Sequence, residues 1–128
     1  MKAKLFLVLI TMTGFLASAS DVTPPRVLST IPANGDRAVN PNLTLMSVTF
    51  NESMRDGNWS WAYTTRDTFP VTTGQPRFER NFTKNVLPVR LQPNKWYEVW
   101  INSQKFNGFK DRAGNSSAPY KLVFKTRK

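Results

Sequence analysis

Glu52 and Asp56 stand four residues apart, and a pair of carboxylates is the minimum equipment for hydrolysing a glycosidic bond. Nothing around them supports that use. Eight acidic residues produce such pairs by chance, and no cleft-forming pattern accompanies this one. The chain has no histidine and no cysteine, which excludes a Ser-His-Asp triad, a His-based zinc site, thiol catalysis and iron–sulfur chemistry. Asp111, Asn115, Asp36 and Asn34 place oxygen ligands in loops, where a calcium site is conceivable. No EF-hand spacing is present, and Lys110 and Arg112 oppose a bound cation. Turn chemistry accounts for these four residues better. The residues predict no enzyme, no catalytic residue, no metal and no cofactor.

Binding chemistry is better represented. Eighteen Lys and Arg stand against eight Asp and Glu, a formal charge of +10. The excess concentrates beyond Arg90, in Lys95, Lys105, Lys110, Arg112, Lys121, Lys125, Arg127 and Lys128, against only Glu98 and Asp111. Such a bias suits anionic surfaces, and it equally suits a solvated edge that discourages strand-to-strand aggregation. Phe106 and Phe109 interleave with the basic residues, a pattern compatible with single-stranded nucleic acid. Trp59, Trp61, Tyr63, Trp96 and Trp100 have the composition of a sugar-stacking platform. Trp59 and Trp61 read as core, and Trp100 reads as the best candidate for exposure. The predicted partner-binding surface is therefore Trp100, Lys105, Lys110, Arg112, Lys121 and Lys125. Its expected partner is a cell-envelope polymer or another exported protein.

That expectation of export rests on the first 19 residues. Lys2 and Lys4 precede an apolar run from Leu5 to Leu16, and Ala17-Ser18-Ala19 supplies the small-x-small pattern of a cleavage site. The run is too short for a comfortable membrane span, and no second one follows. A secreted or periplasmic protein without a transmembrane anchor is expected, with nucleic acid excluded as a physiological partner. With the signal removed, 16 basic residues face eight acids.

Residues 20–128 are one domain's worth of chain. They show period-two patterning broken by Pro, Gly, Asn and Asp clusters, and no convincing 3.6-residue period. Strands are predicted at Val27–Ile31 (an edge strand behind Pro24-Pro25), at Leu43–Phe50 and around Trp59–Tyr63. Others are predicted at Val86–Leu91, Trp96–Ile101 and Tyr120–Thr126, with a possible short one between Arg77 and Phe82. In Leu43–Phe50 the alternation slips at Met46-Ser47, which predicts a bulge, with Leu43, Leu45, Val48 and Phe50 inward. Leu91-Gln92-Pro93-Asn94-Lys95-Trp96-Tyr97 has the form of a tyrosine corner, which turns Tyr97, Val99 and Ile101 inward and Trp96 and Trp100 outward. The absence of cysteine disfavours the antibody type of domain, with its inter-sheet bridge.

Five segments in this order are similar to one family: Pro25 to Gly35 (PRVLSTIPANG), Val48 to Met54 (VTFNESM), Leu91 to Tyr97 (LQPNKWY), Phe109 to Asn115 (FKDRAGN) and Tyr120 to Thr126 (YKLVFKT). Together they resemble the bacterial Ig-like domain of the SbsA (S-layer protein) type. The resemblance implies an all-β, Ig-like antiparallel β-sandwich of about seven strands without a disulfide. It also implies a module of exported and surface proteins with no catalytic residues, in which Asp111–Asn115 is a structural turn before the last strand. The stretch from Arg55 to Asn85 is longer and more aromatic than the family's usual form, which leaves its strand layout open.

Overall fold

The computed structural model describes residues 21–128, so the signal segment read at residues 1–19 lies outside the described residues. Eight strands follow in order: β1 (Val27–Ile31), β2 (Leu45–Phe50), β3 (Trp61–Ala62), β4 (Val71–Thr72), β5 (Arg77–Glu79), β6 (Lys84–Arg90), β7 (Trp96–Ile101) and β8 (Tyr120–Lys125). A single 3₁₀ turn, Arg66–Thr68, precedes β4. All strand pairs are antiparallel. Five strands form one sheet in the order β1-β2-β6-β4, with β5 also pairing β6, and β3-β7-β8 form the other. This is the two-sheet, disulfide-free sandwich the sequence predicts. Among the described residues no helix is long and apolar enough to cross a membrane.

The core fills the space between the sheets. Met46, Val48 and Phe50 of β2 and Leu87 and Val89 of β6 face Tyr97, Val99 and Ile101 of β7 and Leu122 and Phe124 of β8. The outcome at β2 corrects the expected bulge. Its register with β6 runs without a shift from Leu45↔Pro88 to Thr49↔Lys84, so Met46 is buried and Leu45 is exposed. Leu45 and Met46 are similarly apolar, and the cross-strand pair Met46↔Leu87 decides which one faces inward. The irregularity lies in the edge strand β1, between Val27 and Ser29.

Pro88 sits inside β6, a position that ordinarily rejects proline because the residue cannot donate to a ladder. The Pro88 carbonyl accepts from Thr73 N–H, so its missing N–H also faces the β4–β5 side. There the partner changes from β5, whose first residue lies opposite Val86, to β4, whose last residue lies opposite Val89. The lost donor falls in a gap. The outer edge of β8 is covered rather than charged. Gly35 N–H donates to Val123 O, Lys125 N–H donates to Asp36 O, and Val39 pairs in parallel with Thr126. Gly35 has φ +87°, a conformation that glycine adopts without strain.

The tyrosine corner is present. Tyr97 is buried and its hydroxyl accepts from Gln92 N–H at 2.8 Å, so the main-chain group it satisfies is a donor. Tyr97→Phe should cost about 1 kcal/mol, because Gln92 N–H then loses its partner. A urea midpoint unchanged from wild type would show that the bond carries no net stability.

Candidate functional site: an aromatic and basic sheet face and an adjoining groove

Because Tyr97, Val99 and Ile101 turn inward, Trp96, Glu98 and Trp100 turn outward, where they pair across the ladder with Lys125, Val123 and Lys121. The face joins flat aromatic surface to cations. Trp96 is 43% exposed, with the Arg37 guanidinium 5.3 Å and the Lys125 ammonium 5.8 Å from its ring centroid. Both distances are within cation–π range. Trp100 is half-buried, and its indole N–H donates to Thr64 Oγ1 at 3.2 Å. The Thr64 hydroxyl donates in turn to Glu98 Oε1, and Glu98 pairs with Lys121 at 3.8 Å. Trp96, not Trp100, is therefore the more available ring, and Glu98 is the acid that Lys121 offsets.

Of the residues predicted to form one surface, the structure brings together Trp100, Lys121 and Lys125. Lys110 and Arg112 lie elsewhere. Lys110 O accepts from Arg55 N–H, and Arg112 stacks on the Phe82 ring at 5.4 Å. Lys105 rides on Phe106 in the loop after β7. Phe109, read with Phe106 as interleaving the basic residues, is fully buried, with its ring 5.2 Å from Phe50 and 5.9 Å from Trp61. Sequence spacing located cations along the chain, but only strand alternation places them on a common face. Of the predicted residues only Trp100 of β7 and Lys121 and Lys125 of β8 lie in strands, so only they share a face by alternation.

Beside the core lies an open groove of about 650 Å³. Trp59, Trp61, Tyr63, Phe69 and Phe106 supply its rings, so Trp59 and Trp61 pack on the core and also line the surface. Tyr63, placed on their face by alternation, is 42% exposed, and its ring lies tilted against Phe69 at 5.3 Å. Trp61 is held in place by its indole N–H, which donates to Asn85 Oδ1 at 2.8 Å inside the sandwich. The Asn85 amide nitrogen is buried without a protein acceptor.

A third grouping was not visible in sequence. Asp21, Glu52 and Asp111 bring carboxylate oxygens within 4.8 Å of one another. Asn34 and Asp36 belong instead to the β8 edge, where Asn34 Oδ1 accepts from Val123 N–H. Asp56 also stands apart from Glu52, its carboxylate accepting from Gly57 N–H. Asp111 is nearly fully buried, and burial alone raises a carboxyl's pKa. Hydrogen bonds from the Asn115 side chain and from the backbone N–H groups of Asn115, Ala113 and Gly114 outweigh that and hold it below its usual 3.8. Glu52 moves the other way, above its usual 4.5, through desolvation first and then the charges of Asp111 and Asp21.

The model of the bacterial Ig-like domain family matches residues 21–126, the whole of the sandwich just described. The chain belongs to that family. Among solved structures it is similar to a crystal structure of the S-layer protein rSbsC(31-844) and to domains 1-6 of the surface layer protein SbsC. Each is 18% identical with a TM-score of 0.49, and each match covers 91% of this chain and 15% of the S-layer chain. No curated protein matches.

In this Ig-like domain the Asp111–Asn115 block forms the expected turn, with Gly114 at φ +95° and Asn115 N–H donating to Asp111 Oδ1 at 2.8 Å. The two carboxyls give opposite pH dependences. The stability from Asp111, whose folded pKa is depressed, is present above 3.8 and is lost as pH falls through its lower folded value. The contribution of Glu52, whose folded pKa is raised, is full below 4.5 and is lost as pH rises through that higher value. Glu52→Gln should therefore raise the melting temperature at pH 7 and leave it unchanged near pH 4. Equal shifts at both pH values would refute the crowding of these carboxylates.

Proposed function

We propose that this bacterial Ig-like domain is a non-enzymatic, exported binding module that attaches to or assembles at the cell envelope by gripping an anionic polymer on its β7–β8 face. The observation that carries this reading is Trp96, an exposed indole with Arg37 and Lys125 both within cation–π distance. A solvated edge needs the cations but has no use for the ring. A polymer of acidic or phosphorylated units uses both, because the ring takes the apolar surface and the cations take the charge. The chain's lack of His and Cys and the turn role of Asp111 agree with a module that binds without catalysing. Residues 1–19 supply the export signal that would bring it to such a polymer.

The test is retention of the purified domain on isolated anionic envelope polymer across a salt series. Retention should fall steeply between low and moderate salt, and Trp96→Ala and Lys125→Ala should each weaken it while Arg112→Ala leaves it unchanged. Retention that ignores both salt and Trp96→Ala would sink the reading and favour a protein partner.

A further inference from the structure

The groove lined by Trp59, Trp61, Tyr63, Phe69 and Phe106 is independent of the β7–β8 face and has its own chemistry. Its lining is mixed. Aromatic rings supply the apolar part, while Thr72, Gln75 and Ser60 contribute hydroxyl and amide groups. Among the described lining residues Lys105 is the one charged side chain, and no carboxylate is present. A peptide's apolar side chain would leave the polar groups unused. A saccharide uses the whole lining, because a pyranose presents a C–H face to an aromatic ring and a rim of hydroxyls to side-chain amides and hydroxyls.

The wall that carries Phe106 and Lys105 is built before any ligand arrives. Ser103 N–H donates to Phe106 O and Phe106 N–H donates to Ser103 Oγ, closing the turn on itself. Gly108 N–H donates to Ser60 Oγ at 2.7 Å, and Asn102 N–H donates to Ser60 O at 3.0 Å, fastening the loop to the residue before β3. The approach at Gly108 is so close that a Cβ there would come within 2.7 Å of the Trp59 carbonyl oxygen. A ring 53% exposed on a loop fastened this tightly presents a fixed stacking surface, which spares the cost of ordering it on binding.

From the rings, the hydrogen-bonding groups and the lone cation, we infer that this groove is a binding site for an acidic saccharide. A sugar ring stacks against Phe106, and a carboxylate on the sugar reaches Lys105, whereas the Tyr63 ring already carries the Arg66 guanidinium at 5.3 Å. This inference does not depend on the polymer-binding face.

Calorimetric titration of the full chain with tetragalacturonic acid and with its methyl ester tests it, since the ester keeps the sugar rings and hydroxyls but replaces each carboxylate with an uncharged methyl ester. The acid should bind about threefold more tightly than the ester. Lys105→Ala should erase that difference while leaving ester binding in place. Phe106→Ala should weaken both ligands by about tenfold, with an unchanged melting temperature showing that the exposed ring is not a folding determinant. No binding of either sugar at millimolar concentration would overturn the inference. So would capture of a single-stranded oligothymidylate or a peptide in the groove in place of both sugars. A loss that follows Trp96→Ala rather than Phe106→Ala would place the sugar on the sheet face and would equally overturn it.

Discussion

Asn102→Ala should destabilise the domain by about 4 kcal/mol, an exceptional loss for the removal of one polar side chain. Asn102 is fully buried at the end of β7, and its side chain makes three hydrogen bonds to the loop that leads into β8. Its amide nitrogen donates to Phe109 O and to Ser117 O, both at 2.9 Å, and its carbonyl oxygen accepts from Phe109 N–H at 2.9 Å. Truncation strands the Phe109 N–H and the Ser117 carbonyl in the interior, while Phe109 O keeps its bond from Ser117 N–H, and each unpaired buried group costs about 1–3 kcal/mol. A backbone contribution adds to this. Asn102 has φ +58°, a conformation that Asn tolerates and Ala resists.

Asn102→Gly separates the two effects. Glycine accepts the positive φ but replaces none of the three bonds. The glycine variant should recover less than about 1 kcal/mol of the alanine loss. Chemical denaturation with a common m-value reads both losses. If glycine restored most of the stability, the backbone conformation would be the main role of Asn102. Asn102→Asp sharpens the argument further. It keeps the acceptor for Phe109 N–H but turns a carboxylate toward the Phe109 and Ser117 carbonyls. Its loss should exceed that of alanine at neutral pH and shrink on acidification, as protonation restores a donor.

Nothing about Asn102 stood out in the sequence, where an Asn after a strand looks like ordinary turn chemistry. The bonds that define its role run to residues brought near only by the return of the chain into β8. The acidic trio has the same character. Asp21, Glu52 and Asp111 come from three distant segments, and no local spacing brings them together. What was legible is what depends on neighbours in sequence. The strict alternation of Trp96–Ile101 gave a strand with its correct bounds and its correct inner face, because one face is buried and the other is not. The paired prolines before Val27 placed β1 at an edge for a reason intrinsic to proline. The middle segment resisted because its strands are too short to carry a period. β3 and β4 have two residues each, and Val71–Thr72 follows a proline with no signal of its own.

Phe109→Ala should produce the other large loss, about 3–5 kcal/mol, a substantial part of the total stability of a domain this size. Phe109 lies outside the named strands, in the loop between β7 and β8, yet it is fully buried. Its ring meets Phe50 at 5.2 Å, Trp61 at 5.9 Å and Phe78 at 6.4 Å, so it joins β2, β3 and β5 at one point. Its backbone is gripped as well, by Asn102 on both N–H and C=O and by Ser117 N–H. The ring seals the sandwich from within, while the backbone anchors the loop that carries Phe106 and Lys105. Phe109→Leu should cost less than half as much as alanine, since leucine refills most of the volume and leaves the backbone bonds intact. If alanine cost no more than leucine, the site would collapse without a cavity, and Phe109 would be a filler rather than the point where the two sheets and the groove wall are joined.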